Sequence, residues 1–185
     1  MSVDPSTLRI QNYPAEILRR KADPIDPTED VAQVARRMID LMREADGIGL
    51  AAPQVGLPWR LFVCYVPEGQ GRSLTEGLPS ANAAPEVFIN PELSDPEGAL
   101  EPLEEGCLSL PDITGEVLRP PTITITATDL SGDRFTRRAT GLLARCWQHE
   151  FDHLDGILIL DRMTQMWRTK NRARVRDLEK RAGIR

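Results

Sequence analysis

Histidine is nearly missing from this chain: in 185 residues only His149 and His153 occur. Cysteine is sparse too, at Cys64, Cys107 and Cys146. An odd number in a chain this long gives no disulfide framework and fits a reducing, cytoplasmic setting. No apolar run approaches membrane-spanning length. The opening residues, MSVDPSTLRIQNYP, lack the apolar core of a secretory signal. Neither an internal repeat nor a sustained heptad pattern is visible, which sets aside solenoids and coiled coils. What is present is enough length for a single domain, spanning 1–185, with a real core. At 41% hydrophobic and 28% charged, that domain reads as soluble and globular.

Charge of one sign gathers at one end. Residues 168–185 hold eight Lys/Arg against two Asp/Glu, a net of +6. The whole chain is −5, so residues 1–167 sum to −11. A basic tail on an acidic body raises the question of a nucleic-acid partner.

DPTEDVAQVARRMIDLMREADG predicts a helix. Asp26 is placed to cap it, Pro27 suits its first position, Glu29 completes a capping box and Gly47 ends it. RLFVCYV (60–66) reads as a strand, 67–85 as a long surface loop and VFIN as an extended segment ending before Pro91. TITITAT (122–128) alternates, with Ile123, Ile125 and Ala127 on one face, and RFTRR returns after DLSGD as a hairpin. A second helix runs from about Thr140 to Leu154, with most of its surface buried and Gly156 placed to stop it. A third, amphipathic and basic, covers 165–182. Helices and short strands without a βαβ rhythm predict an α+β domain. Short antiparallel strands and sheets are expected around that buried second helix, with N-terminal and C-terminal helices beside it.

The chemistry begins in CWQHEFDHLDG (146–156). His149 and His153 lie four apart, one turn apart on one helix face, and can grip a single metal ion. Glu150 lies beside the first, able to reach a water on that ion without being a ligand; this is the pattern of metal-dependent hydrolases. The plain alternative is chance recurrence of a short pattern in a buried helix. A catalytic site needs a third protein ligand. Cys146 lies too far along the helix from His153 and reads as a small apolar residue lining a pocket. Cys64 reads as core. Cys107, after a glycine in EEGCLSLP, can supply a thiolate or simply be a buried cysteine. In GIGLAAPQVG (47–56), small residues leave the backbone bare and Gln54 projects an amide, suited to an extended peptide or to tight packing.

Taken together and in this order, GIGLAAPQVG, EGCLSLP and QHEFDHLDG resemble the three signature motifs of peptide deformylases. That resemblance covers 47–156 and, more weakly, most of the chain. It implies a hydrolase that removes the formyl group from the N-terminal methionine of newly made proteins, releasing formate. It implies Cys107, His149 and His153 as metal ligands and Glu150 as general acid/base. Gln54 and the backbone N–H of Leu108 would form an oxyanion hole. Ile48, Gly49, Glu105 and Gly106 would flank the substrate, and Leu103, Leu142 and Cys146 would line the methionine pocket with Ile48. The implied cofactor is one divalent ion, Fe2+ natively, with Zn2+, Ni2+ or Co2+ able to substitute. Implied partners are N-formylmethionyl nascent peptides and, through the basic helix at 165–185, the ribosome; a monomer without a membrane is expected. The chain departs from the pattern in lacking an arginine near Thr114 and in the length of its 67–85 loop. A zincin-type peptidase and a non-catalytic metal-binding module remain the rival readings.

Overall fold

The computed structural model describes residues 3–69, 71–74 and 77–183. Among these residues four α-helices form: α1 (Glu29–Glu44), α2 (Gly141–Leu154), the single-turn α3 (Ile159–Arg162) and α4 (Gln165–Arg181). Seven strands accompany them: β1 (Gly49–Ala51), β2 (Leu61–Cys64), β3 (Glu86–Glu97), β4 (Glu101–Gly106), β5 (Thr114–Arg119), β6 (Thr122–Thr128) and β7 (Arg134–Thr140). A five-stranded antiparallel sheet runs β1-β2-β3-β6-β7, and β4 and β5 make a separate hairpin. The fold is the expected α+β domain.

Side-chain alternation explains why the larger sheet is covered on both faces at β2. In β2, Leu61 and Val63 join Leu50, Ile89 and the α1 residues Val34, Met38 and Met42. Phe62 and Cys64 point the other way, to Ala51, Phe88, Ile125 and the α2 residues Leu143 and Trp147. A strand buried on both faces reads as a continuous apolar run, as LFVC does. Phe62 stacks on Phe88 with centroids 4.6 Å apart, and Trp147 lies 5.7 Å from Phe88. This aromatic layer seats α2 at the centre of the molecule. In β6, Ile123, Ile125 and Ala127 are buried, as their alternation predicts, and β7 returns in register from Thr140 to Arg134.

Three details correct the sequence reading. Thr28, not Asp26, caps α1, its hydroxyl accepting from the Val31 N–H at 3.3 Å. Thr28 is the last extended residue, so its oxygen is the one within reach of the first turn. Asp46 (φ 54°) takes the left-handed position after α1, and Gly47 follows it, its N–H reaching the Met42 carbonyl at 2.8 Å. Pro91 does not end an extended segment. It sits inside β3, at a register shift between Ile89 and Glu92 where no ladder donor is required.

The β4–β5 hairpin, like the short β1 and α3, has no sequence forecast. It packs beside a third cluster of Leu18, Leu110, Ile113, Val117, Leu158, Ile159 and Met163. Helix α4 meets that cluster through Trp167, Val175 and Leu178 and buries Asn171, whose Nδ2 donates to the Thr114 carbonyl at 2.7 Å. The 67–85 segment holds no helix or strand among its described residues.

Candidate metal centre

Helix α2 carries His149 and His153 on one face, and β4 delivers Cys107 to them immediately after its last residue. The Cys107 Sγ lies 3.4 Å from His153 Nε2, which lies 3.2 Å from His149 Nε2. All three donor atoms fall within 4.8 Å of one another, the one such group of three among the described residues. Two imidazole nitrogens and a sulfur packed this closely repel through their lone pairs unless a cation or proton lies between them.

The second nitrogen of His149 settles its tautomer. Nδ1 lies 3.0 Å from Glu105 Oε2. Burial works to raise the pKa of Glu105, but hydrogen bonds from His149 and Arg119 hold it well below the usual carboxylate range. An ionised carboxylate only accepts, so Nδ1 carries a hydrogen, and Nε2 is the ring nitrogen that faces the other donors. Burial opposes protonation of His149, yet the Cys107 sulfur and the carboxylates of Glu105 and Glu150 outweigh it and raise its pKa. Burial lowers that of His153, and the charge of His149 lowers it further. A site that draws a proton onto one histidine favours positive charge. A small divalent ion at about 2.0–2.3 Å from N and S donors separates those donors by a little over 3 Å, close to the spacings found here. The residues fit a metal.

Glu105 is saturated on every side. Arg119 grips it with two N–H groups, Nε to Oε1 at 2.7 Å and Nη2 to Oε2 at 3.0 Å. Arg145 adds a bond to Oε1 at 2.8 Å. Arg119 also donates to Asp152 at 2.9 Å, and Asp152 accepts from Arg162 at 2.7 Å. Sequence reasoning gave Glu105 only a place beside the substrate and missed Arg119, Arg145 and Asp152. One signal was available: Arg145 is a charged residue inside a helix that otherwise reads as buried.

Glu150 is 3% exposed, and its Oε2 has no hydrogen-bond partner among the described residues. Burial pushes its pKa up to about 7, against the lowering effect of His149 and Arg119. Beside it passes the backbone of β1. A Cβ added at Gly49 would meet the Glu150 carboxylate and come within 2.8 Å of Cys146 Sγ. The bare backbone of GIGLAAPQVG is therefore a packing requirement at this point.

A cavity of about 610 Å³ opens onto the donors. Its walls include Ile48, Gly49, Gln54, Leu103, Glu105, Gly106, Leu108, Leu142 and Cys146, together with Cys107, His149 and Glu150. All the proposed site residues except His153 line it, and His153 lies buried behind. Cys146 is an apolar wall residue whose Sγ lies 3.3 Å from that of Cys64, which is core as expected. Arg145 also reaches the cavity. The Gln54 Nε2 points toward Cys107 Sγ at 3.5 Å.

Residues 7–169 match the polypeptide deformylase family. The chain is 43% identical over 163 residues to peptide deformylase of Thermodesulfovibrio yellowstonii, covering 87% of this chain and 92% of that one. It is 40% identical over 177 residues to peptide deformylase 1B, chloroplastic/mitochondrial, of Arabidopsis thaliana, covering 94% of this chain and 60% of that longer one. The crystal structure of peptide deformylase from Ehrlichia chaffeensis superposes with a TM-score of 0.84 at 31% identity, over 95% of this chain and 96% of that one. With its α+β fold and a donor cluster suited to a metal, the chain belongs to the polypeptide deformylase family and is an enzyme of that kind.

Proposed function

We propose that the chain removes formyl groups from N-terminal formylmethionine at a divalent ion held by Cys107, His149 and His153. The convergence of those three donors beside a buried, unpartnered Glu150 carries the reading. When bound, the ion supplies Lewis-acid charge and a water acidified enough to ionise near neutral pH. Glu150 takes the proton from the attacking water and later returns it to the leaving amine; a carboxylate whose pKa burial has pushed up to about 7 is matched to both tasks. The Gln54 amide and the Leu108 backbone N–H meet the oxyanion, one such donor lowering the barrier by about 3 kcal/mol. Ile48, Leu103, Leu142 and Cys146 offer the methionine side chain an apolar slot, and the peptide beyond lies extended along Gly49, Glu105 and Gly106. A thiolate among the ligands leaves less positive charge on the ion than a third histidine would. It is also a soft ligand, and Fe2+ is the ion we assign, with Zn2+, Ni2+ or Co2+ as substitutes.

The test is formate release from a formyl-Met-Ala-Ser peptide by protein loaded anaerobically with Fe2+ or Ni2+. Chelation should abolish release and re-addition restore it. The thermal midpoint should climb with free metal, by about 2.7 kcal/mol of stability at a hundred times Kd. In His153→Ala both responses should vanish. Loaded protein that releases no formate would sink the reading.

We place the enzyme in the cytoplasm as a monomer, and no helix among the described residues is long and apolar enough to cross a membrane. Helix α4 presents exposed Lys170, Arg172, Arg174 and Arg176, suited to the phosphates of ribosomal RNA. Co-sedimentation with ribosomes should weaken steeply between 50 and 200 mM salt, as counterion release requires of several phosphate contacts. Binding indifferent to salt would remove α4 from the interface.

A further inference from the structure

Buried Ser109 has no part in the reading above, yet it touches the group assigned to the oxyanion. The Gln54 side chain is held at both ends. Its Oε1 accepts from the Ala51 N–H at 2.8 Å, and its Nε2 donates to Ser109 Oγ at 3.3 Å. The remaining direction of Nε2 is the one aimed at the ligand cluster, toward Cys107 Sγ. Neither Gln54 nor Ser109 meets solvent to any extent, at 1% and 0% exposure, so no water competes for these bonds.

The backbone behind the pair is fixed as well. The Gln11 N–H donates to the Gln54 carbonyl at 2.7 Å, and the Tyr13 N–H donates to the Ser109 carbonyl at 2.8 Å. One short stretch of chain thus clamps the turn that carries Gln54 to the segment that carries Ser109. The hydroxyl and the amide are held at a set separation, and the amide cannot turn its oxygen toward the reaction centre without giving up both partners.

We propose that Ser109 is a positioning residue, which fixes the Gln54 amide so that one N–H points permanently at the place where the oxyanion develops. Donors aimed beforehand stabilise a transition state without reorganising during the reaction. The proposal rests on the deformylase reading and on Gln54 as a donor.

The experiment is a double-mutant cycle on metal-loaded enzyme assayed by formate release. Ser109→Ala should lower kcat roughly ten-fold, a fraction of the 10²–10³ lost with a whole donor, and leave KM unchanged. Placed in a Gln54→Ala background, the same substitution should cost less than about two-fold, because the group it positions is gone. Metal content and thermal midpoint are measured alongside. A merely structural serine would lower kcat equally in both backgrounds, or raise KM, and either result overturns the proposal. An unchanged kcat in the single variant overturns it too. Wild type that fails to release formate overturns the deformylase reading and this inference with it.

Discussion

Replacing Glu150 with glutamine should cut turnover of the metal-loaded enzyme by roughly 10²–10⁴-fold and leave the metal in place. The first half follows from chemistry: an amide of the same shape cannot take a proton from water at neutral pH. The second follows from placement, since Glu150 is outside the converging donor set. The same substitution should alter stability in the opposite direction. Burial has raised the carboxyl from 4.5 to about 7. A carboxyl raised on folding is bound to its proton more tightly in the native state, so ionising it destabilises the fold as pH rises from 4.5 through 7. Glutamine removes that dependence. In metal-free protein, the stability of the variant relative to wild type should therefore grow by about 2–3 kcal/mol between pH 5 and pH 8, given 1.36 kcal/mol per pKa unit. Urea titrations at the two pH values measure it. A variant that keeps turnover, or one that loses its metal, would remove Glu150 from the role of base.

Replacing Arg119 with methionine should cost about 3–5 kcal/mol, the usual result of removing one partner from a buried ionic network. Arg119 is 5% exposed and supplies three of the bonds that hold Glu105 and Asp152. Without it, Glu105 keeps only Arg145 and His149, and Asp152 keeps only the half-exposed Arg162. Two carboxylates are then under-compensated in a dry interior. Because Glu105 orients His149, metal affinity should fall too, by 10–100-fold as for other carboxylates behind a ligating histidine. Denaturant midpoints and competition with a metal indicator measure the two effects. A loss below 1 kcal/mol would mean that the network is solvated and that the buried geometry overstates its importance.

How much of this was legible in the sequence depended on whether neighbours in space were neighbours in the chain. TITITAT announces its own strand because apolar and polar residues alternate along it, with Ile123, Ile125 and Ala127 on the buried face. The HExxH helix announces its site because both candidate ligands, His149 and His153, lie one turn apart with Glu150 between them. EPLEEG does not announce β4: most of the strand is exposed, so no burial pattern marks it. Gln54 and Cys107 were found through their motifs, but the contact of Gln54 with Ser109 could not be, since it joins positions 54 and 109 by a single hydrogen bond. Arg119 and Arg145 meet Glu105 from β5 and α2, and no periodicity connects those segments. Pro91 misled because a proline reads locally as a strand end, and only the partner strand shows that a bulge absorbs it.

The clamp at Gln11 and Tyr13 bears on when the site comes into being. Tyr13 also donates its hydroxyl to Glu179 in α4, a bond spanning 166 residues. The chain's early and late segments are thus bonded to one another and to the turn bearing Gln54. Pairings this distant in sequence carry the largest loop-closure entropy, and they form only when most of the native topology is already present. In a growing chain the helix with His149 and His153 emerges before Glu179, so the bond that ties Tyr13 to α4 forms after both histidines are already out.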